Sequence, residues 1–220
     1  DPKTTSVVSE QYRLQQAIQL ESVRNSIARD LHDEIGSNLS SISLFTEVAK
    51  EKSTTSENGV SGILQKISDY TQTSQEAMND IVWMINTRND RFENIIVRMR
   101  SLAVELLEAK NIHLHLSFDE RLNQLKMGMN ERKNFYLLYK EILNNCVKYA
   151  QANQVWIELS LTSNLIVLSI KDDGIGFDPA VQLNGNGLIN MKKRAEVLGA
   201  TLKINSSKGN GTHTELTFQT

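Results

Sequence analysis

The spacing of apolar residues divides the chain into a helical first part and a mixed second part. Between Leu14 and Ala49 apolar residues recur at steps of three and four without any proline, which predicts one long amphipathic helix. The small, polar stretch 51–62 predicts a turn, and a second helical register follows from Ile63 to Met84. Two helices joined by a short loop predict an antiparallel hairpin. Its wide apolar surface predicts self-association into a dimeric four-helix bundle.

Beyond a polar break at 86–94 the periodicity changes, and we place the domain boundary there, with domains at 1–88 and 91–220. Alternating or continuous apolar runs in the second domain predict strands, and steps of three and four predict helices. The strands are expected at 112–118, 154–161, 165–172, 201–206 and 212–218, and the helices at 95–106, 130–150 and 187–198. Helices layered on a sheet predict an α/β sandwich, so the whole chain is expected to be an α+β protein of two domains.

Charge and composition exclude several classes of function. The chain has 24 Lys plus Arg against 26 Asp plus Glu, so no basic surface that binds nucleic acid is indicated. Its apolar runs are far shorter than the roughly 20 residues of a membrane span, so no membrane segment is expected in this sequence. The single Cys146 suits a reducing compartment and is predicted to be a small buried apolar residue. Because the sequence begins without methionine, we expect a cytoplasmic piece of a longer, membrane-anchored or otherwise sensory protein.

The predicted helix 141-EILNNCVKYA-150 carries the first group of residues with chemical potential. Its spacing brings Glu141, Asn145 and either Lys148 or Tyr149 to one face. A carboxylate, an amide and a cation on one face can hold a metal ion and its phosphates. For this segment alone, a solvated helix edge is the simpler interpretation.

Glycine-bearing loops carry the second group. Asp172 ends a predicted strand and can accept a hydrogen bond from an exocyclic amine such as that of adenine. Gly174 and Gly176 follow it and let the backbone approach a ligand closely. A second pair in 185-GNG-187 opens a helix, where backbone N–H groups and the helix dipole suit a phosphate. A further close-approach turn, 209-GNGT-212, precedes the last strand.

In this order, the motifs resemble the ATP-binding domain, or Bergerat fold, shared by gyrase-type ATPases, heat-shock chaperones, mismatch-repair proteins and histidine kinases. The resemblance covers about residues 91–220 and implies ATP and Mg²⁺ as cofactors. It implies a role for each motif residue: Glu141 as a catalytic carboxylate, Asn145 as the Mg²⁺ ligand, Lys148 and Tyr149 near the phosphates, Asp172 as the adenine contact, Thr212 behind the adenine, and Gly174, Gly176, Gly185, Gly187 and Leu188 in the nucleotide loop. The short segment between Gly176 and Gly185 implies a short lid.

With this resemblance, the segment 28-ARDLHDEIGSNLSS-41 looks like the phosphoacceptor box of the histidine kinases that have His-Asp in a helical hairpin. The resemblance implies that His32 takes the γ-phosphoryl group and that Asp33 is the general base. Adjacent helix positions do not normally face one another, so spacing alone does not support the role of Asp33. Gly36, one turn further on, leaves the imidazole approachable, which offsets a helix-interior cost of about 1 kcal/mol. The family commonly has glutamine or histidine where this chain has Ser37, which predicts weak phosphatase activity.

The resemblance therefore implies a sensor histidine kinase core that forms a homodimer through the hairpin. It would autophosphorylate on His32 and pass the phosphoryl group to an aspartate on the receiver domain of a response regulator. Two alternatives stay open: an ATP-hydrolysing conformational machine that does not label itself, and a non-catalytic dimeric scaffold of the same superfamily. His113 and His115 share one face of a predicted strand and could bind a metal, but a polar outer face is the simpler interpretation.

Overall fold

The structure is a computed structural model, and it describes residues 35–53, 60–86, 90–178 and 186–219. The chain divides into two compact units between Ile85 and Asn86. The first unit is helical, and the second combines helices with one sheet. The expected fold class, a helical first part followed by an α/β domain, is therefore confirmed. None of the described helices is both long and apolar enough to cross a membrane.

The first unit contains helices α1 (Ser37–Ser53) and α2 (Val60–Ile85), which pack against each other as a hairpin. Phe45 of α1 stacks on Tyr70 of α2 with ring centroids 5.7 Å apart. The ammonium group of Lys66 lies 5.1 Å from the Phe45 ring centroid. These contacts follow from the steps of three and four, which bring aromatic side chains of both helices to one seam. The part of the predicted long helix before residue 35 lies outside the described residues.

The turn predicted at 51–62 is too long. Helix α1 continues to Ser53 and α2 begins at Val60, which leaves only 54–59 between them, and these lie outside the described residues. Gly62 stands in the first turn of α2, although a glycine costs about 1 kcal/mol inside a helix. The next residue, Ile63, is buried. Burial of such a side chain stabilises by roughly 1.5–3 kcal/mol, which outweighs the cost of the glycine.

The second unit is built on a five-stranded sheet with the order β1-β2-β3-β5-β4. The strands are β1 (His113–Phe118), β2 (Gln154–Thr162), β3 (Leu165–Asp172), β4 (Thr201–Ser206) and β5 (Thr212–Gln219). Strand β1 pairs in parallel with β2, and the other neighbours are antiparallel. Side chains alternate between the two faces of the sheet, and one face is buried, for example at Val155, Ile157 and Leu159 of β2. All five strands predicted from the sequence are confirmed.

Helices α3 (Phe92–Glu108), α4 (Met129–Asn145) and α5 (Asn186–Val197) accompany the sheet. Helix α4 packs between α3 and α5. On one side the Tyr139 hydroxyl of α4 donates to the Met99 carbonyl of α3 at 2.9 Å. Towards the sheet, the rings of Phe135 and Phe218 lie 5.4 Å apart. The short 3-10 helix Glu120–Gln124 was not predicted.

The chain enters the second unit along the start of α4. The backbone of Asp90 accepts from the Met127 N–H at 3.0 Å, and the Phe92 N–H donates to the Leu125 carbonyl at 3.0 Å. The Arg132 side chain in the first turns of α4 is fully buried, and its Nη1 lies 2.5 Å from Asp90 Oδ1. A buried guanidinium on α4 thus holds the segment that enters the unit.

Candidate functional site

A cavity of about 660 Å³ opens in the second unit between α4, α5 and the strands β3, β4 and β5. Its volume lies within the range of roughly 300–1,000 Å³ that small-molecule sites occupy. The apolar lining includes Ile142, Ile170, Phe177, Leu188, Met191 and Ile204. The polar lining includes Glu141, Asn145, Cys146, Tyr149, Asp172, Thr212 and Thr214. An apolar cavity with a few convergent polar groups suits a flat ring system with polar edges.

Asp172, at the end of β3, is the buried carboxylate of this cavity, with only 3% of its surface exposed. Its Oδ1 accepts from the Gly174 N–H at 2.9 Å and from the Thr212 N–H at 3.2 Å. Its Oδ2 lies 3.9 Å from Cys146 Sγ, a long contact in which the thiol is the donor. Burial raises the pKa of the Asp172 carboxyl. One edge of the carboxylate is therefore fixed by the backbone, and the other has room for a stronger donor from a ligand.

The loop after Asp172 lies directly against the end of the helical segment that follows α4. The Ile175 N–H donates to the Ala150 carbonyl at 2.8 Å. A Cβ atom on Gly174 would overlap with this same carbonyl oxygen. Gly176 has a φ of +58°, and a Cβ atom there would overlap with the Ser207 carbonyl. Two of the four glycines predicted for the nucleotide loop, Gly174 and Gly176, are thus required by close approach of backbone to backbone.

The turn 209-GNGT-212 leads into the cavity lining at Thr212. Gly211 has a φ of +68°, and a Cβ atom there would overlap with the Asp172 carbonyl. The Thr212 hydroxyl lies 3.0 Å from Ser206 Oγ, which itself accepts from the Phe177 N–H at 2.9 Å. Thr212, predicted from the resemblance, therefore lies beside Asp172 and contacts both the β3 end and the β4 end.

Helix α4 and the helical turn Cys146–Ala150 that follows it bring three of their four predicted residues to the cavity. Glu141, Asn145 and Tyr149 line it, whereas Lys148 is exposed and is not among the lining residues. Lys148 and Tyr149 both stand in the π-helical turn Cys146–Ala150, in which the hydrogen-bonding step is five residues rather than four. Tyr149 is four positions after Asn145, a spacing that shares a face in an α-helix as well.

Asn145 and Glu141 approach the start of α5. Asn145 Nδ2 lies 3.9 Å from Met191 Sδ, and the side-chain oxygen Oδ1 of Asn145 has no hydrogen-bond donor within the described part of the chain. Amide oxygens of this kind are Mg²⁺ ligands in proteins. A Cβ atom on Gly187 would overlap with Glu141 Oε1, so the carboxylate lies against the first turn of α5. Leu188 lines the cavity one residue later.

Three predicted site residues, His32, Asp33 and Gly185, lie outside the described residues. Gly36 and Ser37 at the start of α1 are described. A Cβ atom on Gly36 would meet no atom of the described residues within 4 Å, so packing within this part of the chain does not require a glycine there.

Sequence reasoning did not name the apolar lining. Ile170 stands two residues before Asp172 on the same strand face, a spacing that could have identified it. Met191 and Ile204 come from other elements and had no such signal. Cys146 is buried as predicted, but it also lines the cavity.

The outer face of the sheet supports the simpler interpretation of the strand histidines. His115 stacks on Trp156 with ring centroids 5.2 Å apart and planes 7° from parallel. Its Nε2 lies 3.1 Å from Gln154 Oε1. Among the described residues, no group of three or more His, Cys, Asp or Glu side chains could hold a metal ion.

Two family matches cover most of the chain. Residues 130–220 match the family described as "Histidine kinase-, DNA gyrase B-, and HSP90-like ATPase". Residues 23–90 match a family described as "Histidine kinase". The cavity lies within the first match, and His32 lies within the second.

Similar curated proteins are histidine kinases from several bacteria. The histidine-protein kinase/phosphatase UhpB of Salmonella typhimurium is 30% identical over 86% of this chain and 37% of its own length. The sensor histidine kinase ComP of Bacillus subtilis is 28% identical over 87% of this chain and 26% of its own. The sensor protein VraS of Staphylococcus haemolyticus is 24% identical over 97% of this chain and 61% of its own length. The chain thus spans about a quarter to three fifths of the length of these relatives.

Solved structures of low sequence identity share the fold. The Acinetobacter baumannii histidine kinase AdeS gives a TM-score of 0.57 at 13% identity, over 80% of this chain and 94% of that one. The histidine kinase domain of the Erythrobacter litoralis EL346 blue-light activated kinase gives 0.52 at 15% identity, over 87% and 93%.

Proposed function

Since the chain belongs to the sensor histidine kinases of two-component systems, we propose that it transfers the γ-phosphoryl group of ATP to His32. The phosphoryl group then passes to an aspartate on the receiver domain of a separate response regulator. Residues 1–88 form the dimerisation and phosphotransfer domain in this proposal, and 91–220 form the catalytic ATP-binding domain. The reaction takes place in the cytoplasm, as part of a longer sensor.

The observation that carries the proposal is the half-satisfied carboxylate of Asp172 in an otherwise apolar cavity. Its Oδ1 is taken by two backbone N–H groups at 2.9 and 3.2 Å, and its Oδ2 is left for a donor in the cavity. The 6-amino group of adenine is such a donor, and the apolar walls fit the faces of the ring. The matching ATPase family supports ATP as the nucleotide.

The phosphates fit the other end of the cavity. The first turn of α5 offers N–H groups and the positive end of the helix dipole, and its Gly187 lines the cavity. Asn145 would hold Mg²⁺ through its amide oxygen. When bound, Mg²⁺ neutralises charge on the phosphates during transfer. Tyr149 stands at the mouth of the cavity with 68% of its surface exposed, and Lys148 next to it supplies a positive charge outside the lining.

The proposed acceptor is the imidazole of His32, which is largely neutral near pH 7 and offers a nitrogen lone pair. Asp33 and Glu141 are the carboxylates that would take or hold its proton, one from each unit. The resemblance assigns both roles, and the contact of Glu141 with the start of α5 puts this carboxylate at the phosphate end of the cavity.

We also propose a homodimer through the hairpin. Large apolar side chains of α1 and α2 are exposed, namely Leu39, Leu44, Leu64, Met78 and Val82. A second copy of the hairpin would cover this surface in a four-helix bundle. Sedimentation of the chain should then report a dimer at micromolar concentration.

The test of the proposed function is incubation with γ-labelled ATP and Mg²⁺, followed by mapping of acid-labile phosphate. His32→Ala should abolish the label and keep ATP binding, whereas His113→Ala, a control on an exposed strand position, should be labelled normally. Asn145→Ala should lose the Mg²⁺-dependent label. ATP hydrolysis without any label on the protein would favour the conformational machine, and binding without hydrolysis would favour the scaffold.

A further inference from the structure

The cavity contains one feature that the proposed reaction does not use. Cys146 is 5% exposed, lines the cavity, and places its Sγ 3.9 Å from Asp172 Oδ2. It opens the π-helical turn at the end of α4, so its position is fixed by the backbone irregularity described above. It is the single cysteine of the chain.

The chemistry of Cys146 and Asp172 determines which of the two side chains donates the hydrogen bond. An ionised carboxylate only accepts hydrogen bonds, so the contact between the two side chains is S–H donating to Oδ2. Oδ1 already accepts two backbone N–H groups. Each of these three donors favours the ionised, acceptor-only form of Asp172. A protonated Asp172 would instead offer an O–H donor to the cavity, which suits a carbonyl group.

We propose that Cys146 is a specificity-determining residue, whose thiol holds Asp172 as an acceptor and so selects a purine with an exocyclic amine over one with a carbonyl or a hydrogen at that place. This inference rests on the proposed function, because it assigns the base selectivity of the same nucleotide site. Cys146 acts through Asp172 and takes no part in phosphoryl transfer.

The experiment measures equilibrium binding of three nucleotides to the full chain: ATP, inosine triphosphate, which has a carbonyl in place of the amine, and purine riboside triphosphate, which has hydrogen there. In Cys146→Ala the affinity for ATP should fall about three- to tenfold, the range for a lost hydrogen bond. The affinities for the other two nucleotides should change less than about twofold. Cys146→Ser keeps a donor and should keep most of the preference for ATP.

Two further variants separate the proposed role from general packing. Ile204→Val trims another lining side chain and should weaken all three nucleotides alike. In an Asp172→Asn background, Cys146→Ala should no longer change the affinity for ATP, because the carboxylate that the thiol contacts is gone.

The outcomes are distinct. Equal losses for ATP and inosine triphosphate in Cys146→Ala, or an undiminished effect in the Asp172→Asn background, would overturn the inference. If Cys146→Ala does not fold, as judged by circular dichroism, Cys146→Ser decides, and loss of its preference for ATP despite a retained donor would contradict the inference. Wild type that binds no ATP would contradict the proposed function itself.

Discussion

Gly174→Ala is the substitution that the structure constrains most sharply. The added methyl group would overlap with the Ala150 carbonyl oxygen, a backbone atom that cannot turn away. The loop must therefore move, which breaks the Ile175 N–H bond to Ala150 at 2.8 Å and disturbs the Gly174 N–H bond to Asp172 at 2.9 Å. A neutral hydrogen bond contributes about 0.5–1.5 kcal/mol and one to a charged group about 1.5–3. We expect the free energy of unfolding to fall by about 2–4 kcal/mol and the affinity for ATP to fall at least about tenfold.

The matched control is Gly199→Ala. Gly199 has a φ of +60°, no atom of the described residues lies within 4 Å of an added Cβ, and Gly199 is not among the residues that line the cavity. The free energy of unfolding of this variant should fall by about 1–2 kcal/mol, because alanine is strained in the left-handed backbone conformation. The variant should bind ATP like wild type. Urea unfolding and titration calorimetry with ATP measure both quantities. The reasoning is refuted if Gly174→Ala binds ATP within twofold of wild type and is no less stable than Gly199→Ala.

Three other predictions concern stability, pH and the reverse reaction. Asp90→Ala removes the carboxylate partner of the buried Arg132 and should lower the free energy of unfolding by about 2 kcal/mol. This is less than the roughly 3–5 kcal/mol for a fully buried pair, because Asp90 is partly exposed. Urea unfolding should show the loss, and the control Glu158→Ala, at an exposed position, should be nearly as stable as wild type. The affinity for ATP should fall as the pH drops through the raised pKa of Asp172, because protonation removes the acceptor for the amine, and it should be constant above that pKa. Calorimetry over a pH series on wild type and Asp172→Asn measures this. Equal pH profiles for the two proteins would contradict the prediction. Ser37→Gln should speed loss of phosphate from a phosphorylated response regulator, since a long amide reaches a water that the serine hydroxyl does not; an unchanged rate would show that Ser37 is not limiting.

The sheet could be predicted from the sequence because its strands carry alternating or continuous apolar runs. In β2 and β3 these runs predicted the strands, and the structure buries every second residue, from Val155 to Ile170. The ends of the helices were harder to predict, as at Gly62, because the cost of one glycine in a helix is small compared with the gain from burying its neighbour Ile63.

The site could be predicted in part. Gly174, Gly176 and Asp172 stand in a short motif whose order indicated a nucleotide site, and the structure brings these residues together. The π-helical turn after Asn145 could not be predicted, because no local residue preference distinguishes it from an α-helix. Helical spacing allowed either Lys148 or Tyr149 on the face of Asn145, and the structure brings Tyr149 to the cavity.

The strand order has a consequence for how this unit folds. Strand β5 follows β4 in the chain but lies inside the sheet, between β3 and β4. During synthesis β4 therefore has no sheet neighbour until β5 has emerged, and β3 keeps an open edge that can pair with other chains. The Thr212 N–H bond to Asp172 forms only at that step. Nucleotide binding should thus appear abruptly with the completed strand, and ATP should act on refolding only after the slow, long-range pairing of β3 with β5.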